Sequence, residues 1–102
     1  MGGYLIEFLD DDESYLRWLA SHQDGLVVNT TRSRSPSYMV LHRASCPYIT
    51  AYMGRASRPG GFTERGYIKV CAVDVPSLRA WARQHGRLDG SFSSECPRCE
   101  PD

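Results

Sequence analysis

The chain lacks long apolar runs: none approaches the roughly 18–20 residues that a membrane-spanning helix needs. Its N-terminus has no charged segment followed by an apolar one, which argues against a secretion signal. With no internal repeat and no second composition zone, residues 1–102 are expected to form one domain. We therefore expect a cytoplasmic protein with no membrane partner. Disulfides are rare there, so the four cysteines are candidates for metal or redox chemistry.

The chain also has no net charge, but its charges are unevenly distributed. Residues 1–31 contain six acidic side chains and one basic one, whereas residues 32–69 contain seven basic side chains and one acidic one. The whole-chain balance therefore conceals a basic middle. A segment of this kind predicts an anionic partner.

Four residues stand at the spacing of metal ligands. His42 and Cys46 form H-x3-C, and Cys96 and Cys99 form C-x2-C. Two cysteines so close can bind one ion through a tight turn, and a histidine and a cysteine beside another turn can complete a tetrahedron. We predict a structural zinc site that ties the C-terminal segment to the middle of the chain. Zinc ligation is strong enough to offset the entropy of closing so long a loop.

Cys71 is a fifth candidate ligand, since it could complete an all-thiolate site in place of His42. It lies in a β-prone run, where a buried cysteine is often a small apolar side chain, so His42 is preferred. A catalytic zinc would leave one position to water, and no nearby glutamate has an obvious role as a base. A thioredoxin-like pair would begin a helix after a strand, unlike Cys96 and Cys99. The protein is predicted not to be an enzyme.

The predicted fold class is α+β, with a small antiparallel sheet and two helices. One helix is expected from about Asp11 to His22, with Asp10 and Glu13 as a capping box, and the other from Asp74 to Gly86. A third segment, 47–53, reads as a short helix or turn. Runs of β-prone residues predict strands at 5–8, 25–29, 38–41 and 67–72.

The segment LHRASCPYI, followed far downstream by a helix and then CPRCEPD, resembles the zinc module of the Ada DNA-repair protein. It is also similar to zinc tails of the form Y-H-x3-C and C-x2-C on some nucleases. This resemblance covers roughly residues 38–102 and implies zinc binding and association with nucleic acid. In Ada the first ligand is a cysteine that accepts a methyl group from a damaged phosphate. His42 stands at that position, so the resemblance does not carry phosphotriester repair over to this chain.

A wider resemblance rests on the segments YLRWLASHQDGLVVN, YMVLHRASC, GYIKVC and LDGSF. They are similar to an uncharacterised actinobacterial family whose members occur alone or beside HNH-type nuclease and restriction modules. The resemblance implies DNA as a partner, a nuclease as a neighbouring domain or protein, and service in a restriction or repair system.

A nucleic-acid surface is predicted around the zinc site, because arginine forks match phosphate oxygens and tyrosine rings stack on bases. The competing hypothesis is a protein-interaction or antitoxin-like module, whose acidic helix near Asp10–Glu13 docks a basic partner. The residues assigned to the nucleic-acid surface are Arg32, Arg34, Arg43, Tyr48, Arg55, Arg58, Arg65 and Lys69.

Overall fold

A computed structural model describes residues 5–50 and 61–99, in which five strands and three helices form an α+β fold. The predicted fold class is thus confirmed, and the predicted helices and strands lie within a few residues of their expected bounds. The short strand near residue 94 was not predicted. The strands are β1 (Leu5–Phe8), β2 (Leu26–Thr31), β3 (Met39–Arg43), β4 (Tyr67–Ala72) and β5 (Ser94–Glu95); the helices are α1 (Asp12–Ser21), α2 (Pro47–Thr50) and α3 (Val75–Gln84).

The strands form one sheet in the order β1-β4-β2-β3-β5. Its pairs are antiparallel as expected, except that β5 runs parallel to β3. Helix α1 connects β1 to β2, and α3 connects β4 to β5, so both connections lead toward the β5 edge of the sheet. Their starting strands, β1 and β4, run in opposite directions. Right-handed crossovers of this kind place the two helices on opposite faces of the sheet.

Packing follows this arrangement, because alternate residues of each strand face different helices. On one face, Tyr15 and Trp18 of α1 pack in a cluster with Val27 and Cys71. On the other face, Leu78 and Trp81 of α3 pack with Val28, Leu41 and Val70 of the central strands. Within the described residues, no helix combines the length and apolar character that crossing a bilayer requires.

The start of α1 differs from the predicted capping box by one residue. Asp11 is the N-cap, and its carboxylate accepts a hydrogen bond from the backbone N–H of Ser14. Asp10 adopts a positive φ of 55° and pairs with Arg32 instead. Asp12, the first helical residue, is buried. Its carboxylate accepts hydrogen bonds from the backbone N–H and hydroxyl of Thr63, at 2.6 and 2.7 Å.

The basic loop after β2 is hydrogen-bonded to β1 and to the segment that follows α3. Arg34 donates to Glu7 at 3.0 Å, and the indole N–H of Trp81 donates to the same carboxylate at 2.7 Å. The hydrogen bond from Arg34 is the main cause that lowers the pKa of Glu7. Arg87 donates to the carbonyl of Pro36 at 2.6 Å. These contacts join the loop to β1 and to the end of α3.

Candidate metal centre

The four predicted ligands meet at one end of β3 because β5 runs beside it in parallel. Leu41 is paired with Glu95, and the backbone N–H of Cys96 donates to the carbonyl of Leu41 at 2.9 Å. The next residue along each strand is a ligand, which places His42 and Cys96 side by side. Cys46 returns to them through a turn closed by its N–H bond to the carbonyl of Arg43, at 3.0 Å.

The ligand atoms of His42, Cys46, Cys96 and Cys99 all lie within 4.8 Å of one another. Cys46 Sγ and Cys96 Sγ are 3.9 Å apart. Two sulfurs bound tetrahedrally at about 2.3 Å to one zinc ion would be about 3.8 Å apart. The cluster is therefore of the right size to hold a metal ion, and it connects the C-terminal segment to the middle of the chain.

Cys71 does not belong to this cluster. The sheet register runs from Cys71 through Val27 to His42, so two strand spacings, about 10 Å, separate the backbones of the two candidates. Cys71 is fully buried in the core between the sheet and α1, and burial raises the pKa of its thiol. Its role is that of a small apolar side chain, and the all-thiolate alternative does not fit the geometry.

The environment of His42 also suits a metal ligand. Its side chain is 7% exposed, and its Nδ1 is the one buried side-chain polar atom among the described residues with no hydrogen-bond partner. Burial, assisted by the charge of Lys69, lowers the pKa of His42 to about 4. The imidazole is therefore neutral at pH 7, with a lone pair available. A metal would satisfy a nitrogen that is otherwise costly to bury.

The cysteines differ in how readily they ionise without a metal. Burial raises the pKa of Cys46 to about 12. Burial acts in the same direction on Cys96, but hydrogen bonds from the backbone N–H groups of Cys99 and Arg98, together with those from the Cys99 and Cys46 side chains, lower the pKa of this thiol. The C-x2-C turn is thus arranged to support a thiolate at Cys96, whereas Cys46 would need the charge of a bound metal to lose its proton.

Arg43 supports the cluster from outside the ligand set. Its backbone N–H donates to Cys99 Sγ at 3.3 Å, and its Nε donates to the carbonyl of Cys99 at 2.7 Å. Such outer contacts orient a ligand and hold its turn in place. Three thiolates and one imidazole form a donor set typical of a closed, structural zinc site.

The predicted nucleic-acid residues do not all converge on this centre. Arg32, Arg34 and Arg65 lie at the opposite end of the sheet: Arg32 follows β2, six residues or about 20 Å along the strand from Leu26, which pairs with Arg43. Arg32 is paired with Asp10, and Arg34 with Glu7. The Arg65 guanidinium lies 5.1 Å from the centre of the Tyr67 ring. Arg55 and Arg58 lie outside the described residues.

Two predicted residues, Arg43 and Tyr48, lie beside the metal ligands, together with one that the prediction omitted. The guanidinium of Arg98 lies 5.4 Å from the centre of the Tyr48 ring. Arg98 stands inside the C-x2-C turn, between Cys96 and Cys99. Its position between two ligands is the sequence signal that could have identified it.

The prediction that Lys69 belongs to the nucleic-acid surface is wrong, because the structure places this side chain in the interior. Its side chain is 2% exposed, and its ammonium donates to Asn29 Oδ1 and to the carbonyl of Phe62, each at 2.8 Å. Burial lowers its pKa to about 8. A lysine so placed cannot reach the phosphate of a ligand outside the protein.

The lowered pKa of Lys69 predicts that stability rises with pH above about 8. Between the folded value near 8 and the unfolded value near 10.4, the unfolded chain binds more protons than the folded one. The contribution is about 2 kcal/mol by pH 10, and Lys69→Met should lack it. Urea unfolding of both proteins from pH 7 to 10 measures the difference between their free energies of unfolding. The contributions of other titrating groups cancel in this difference. If the free energies of unfolding of the two proteins change in parallel with pH, the placement of the Lys69 ammonium in the interior is wrong.

No protein-family model matches the chain, and no curated protein or solved structure is significantly similar to it. The resemblance to the Ada module therefore stays a prediction. Function has to be inferred from the ligand cluster and from the residues around it.

Proposed function

We propose that the protein is a non-catalytic, zinc-stabilised module that binds nucleic acid, DNA in particular. The zinc site is supported by one observation, the convergence of four candidate ligands from two segments that lie 50 residues apart in the chain. Zinc suits three thiolates and an imidazole, and four protein ligands fill its tetrahedral shell. Its role is to fix the C-terminal turn against the end of β3.

The nucleic-acid part of the proposal is supported by three exposed side chains beside the ligands. Arg43, Tyr48 and Arg98, called the knuckle surface here, combine two cations with an aromatic ring that is 52% exposed. Arg43 and Arg98 both adjoin Cys99: one binds its carbonyl, and the other precedes it in the chain. Cations with an aromatic ring are the elements by which proteins bind phosphates and bases.

The knuckle surface is much smaller than the surface predicted from the basic middle of the chain. Arg32 and Arg34 have carboxylate partners within the protein, so little of their charge is available to a distant anion. Lys69 is buried. The proposed binding surface is therefore limited to Tyr48 and the two arginines beside the candidate ligands, Arg43 and Arg98. Use by a restriction or repair system, with a nuclease as partner, is part of the same proposal.

Binding is expected to weaken about tenfold when salt rises from 50 to 200 mM, as two neutralised phosphates would require. Arg98→Ala should make the slope of log affinity against log salt shallower by about 0.7 to 0.9. Fluorescence anisotropy with labelled DNA measures both effects. Arg83→Ala is the matched control, because Arg83 lies on α3 across the sheet from the metal. If zinc-loaded protein binds no nucleic acid even at 50 mM salt, the proposal is wrong.

The competing protein-interaction hypothesis receives less support from the acidic residues on which it depends. Asp11 caps α1, and Asp12 is buried against Thr63. Asp10 pairs with Arg32, and Glu13 pairs with Arg17 one turn along the helix. Each of these four carboxylates is engaged within the chain, which leaves a weak acidic surface for a basic partner.

A further inference from the structure

Two turns that share the sequence Cys-Pro contain the candidate ligands Cys46 and Cys96. One is Cys46-Pro47-Tyr48, and the other is Cys96-Pro97-Arg98, so each ligand is followed two residues later by a side chain at the surface. The first turn leads into α2, and the second follows β5. The fold thus brings together two Cys-Pro turns that lie 50 residues apart in the chain.

The two surface side chains meet where the turns meet. Arg98 lies over the ring of Tyr48, with the guanidinium carbon 5.4 Å from the ring centre. Half of Tyr48 nevertheless remains exposed. One metal ion bound to both Cys46 and Cys96 would hold the two turns together. The pairing of Tyr48 with Arg98 would therefore depend on metal ligation rather than on either segment alone.

We propose that the metal assembles, from Tyr48, Arg98 and Arg43, a contact site for single-stranded nucleic acid. A base stacks on the exposed part of the Tyr48 ring, and the two arginines bind the phosphates that flank it. This inference rests on the proposed function and names the form of nucleic acid that the knuckle surface takes.

The choice of a single strand follows from the position of the ring. Stacking requires the open face of a base, and in a duplex both faces are already covered by neighbouring base pairs. A tyrosine on a short helix beside a compact turn offers one stacking platform with cations around it. It does not offer a long helix or a two-stranded ribbon of the kind that enters a major groove.

The test compares a short labelled single strand with its duplex, both titrated with zinc-loaded protein at low salt. The single strand is expected to bind about tenfold more tightly. Tyr48→Ala should weaken that binding about five- to hundredfold, since one stacked base contributes that much, whereas Tyr48→Phe keeps the ring and should bind within about twofold of the parent. Ring-proton shifts of Tyr48, followed by NMR during the titration, report the stacking directly.

Tyr38→Ala is the matched control, because Tyr38 is 38% exposed but contacts Tyr67 at the opposite end of the sheet. It should bind like the parent protein. Zinc content and circular dichroism of each variant distinguish loss of the ring from loss of the fold. Equal affinity for duplex and single strand, or an unchanged affinity of Tyr48→Ala, would overturn the single-strand site while leaving the proposed function intact. Failure of the parent to bind either form would overturn both.

Discussion

Removal of the metal from the proposed zinc site is expected to destabilise the protein strongly. Structural zinc contributes about 10–16 kcal/mol in small finger peptides, which matches or exceeds the 5–15 kcal/mol total stability of ordinary domains. Without a metal, the C-terminal turn is held by the two-residue strand β5 and by the hydrogen bonds from Arg43 to Cys99, and the buried Nδ1 of His42 has no hydrogen-bond partner among the described residues. Thermal unfolding followed by circular dichroism, with and without a chelator, should show a midpoint lower by at least about 20 °C. Added zinc should restore it.

Ligand substitutions separate the metal's contribution from that of the core. Cys96→Ser should abolish stoichiometric zinc binding and reproduce the chelated state. Cys71→Val is the matched control, because Cys71 is as deeply buried but lies outside the ligand cluster. It should retain one metal per chain, with the cobalt spectrum of a tetrahedral site of three sulfurs and one nitrogen. Unfolding curves unaffected by the chelator, or equal metal loss in both variants, would refute the structural zinc site.

The second large effect is expected at Asp12, where substitution by alanine should lower the free energy of unfolding by about 3–5 kcal/mol. The Asp12 carboxylate accepts hydrogen bonds from the backbone N–H groups of Phe62 and Thr63, and from the Thr63 hydroxyl. Its charge also offsets the buried ammonium of Lys69, whose pKa it raises. Loss of the carboxylate removes the acceptor of these three hydrogen bonds and leaves the interior Lys69 ammonium with less compensation.

Urea unfolding at pH 7 measures this effect, and Glu13→Ala provides the control on the next residue. Glu13 is exposed and pairs only with exposed Arg17 among the contacts that the structure shows, so its loss should cost less than about 0.5 kcal/mol. A double-mutant cycle of Asp12→Ala with Lys69→Met should reveal coupling, because the two charges lie in one polar network around Phe62 and Thr63. Equal costs for Asp12→Ala and Glu13→Ala would contradict the buried role of Asp12.

The correct predictions concern features that local physics controls. Period-2 and period-3.6 apolar patterns identified β4 and both long helices, and Asp74 with Pro76 marked the start of α3. The spacings H-x3-C and C-x2-C identified the two pairs that form a cluster able to hold a metal ion, because short turns bring the members of each pair together whatever the rest of the fold does. Strand β5 escaped prediction because Ser94 and Glu95 have little β propensity and become a strand only by pairing with β3.

The surface placement of Lys69, by contrast, was predicted wrongly, because the environment of a charged side chain depends on residues distant in the chain. The local sequence does not indicate that Lys69 is buried. It also does not indicate that Arg34 pairs with Glu7, which lies 27 residues away in the chain. The same holds for Arg98, which meets Tyr48 only because β5 lies parallel to β3.

By itself, then, the sequence determined the helices, four of the strands and the two candidate ligand pairs, each of which follows from residues a few positions apart. The tertiary structure alone decided which charges face the solvent, which ones neutralise each other and which ones lie beside the candidate ligands, and it brought the two ligand pairs together. The physical reason is that an ionic side chain acts through its environment, and that environment is built by strand order and crossover handedness.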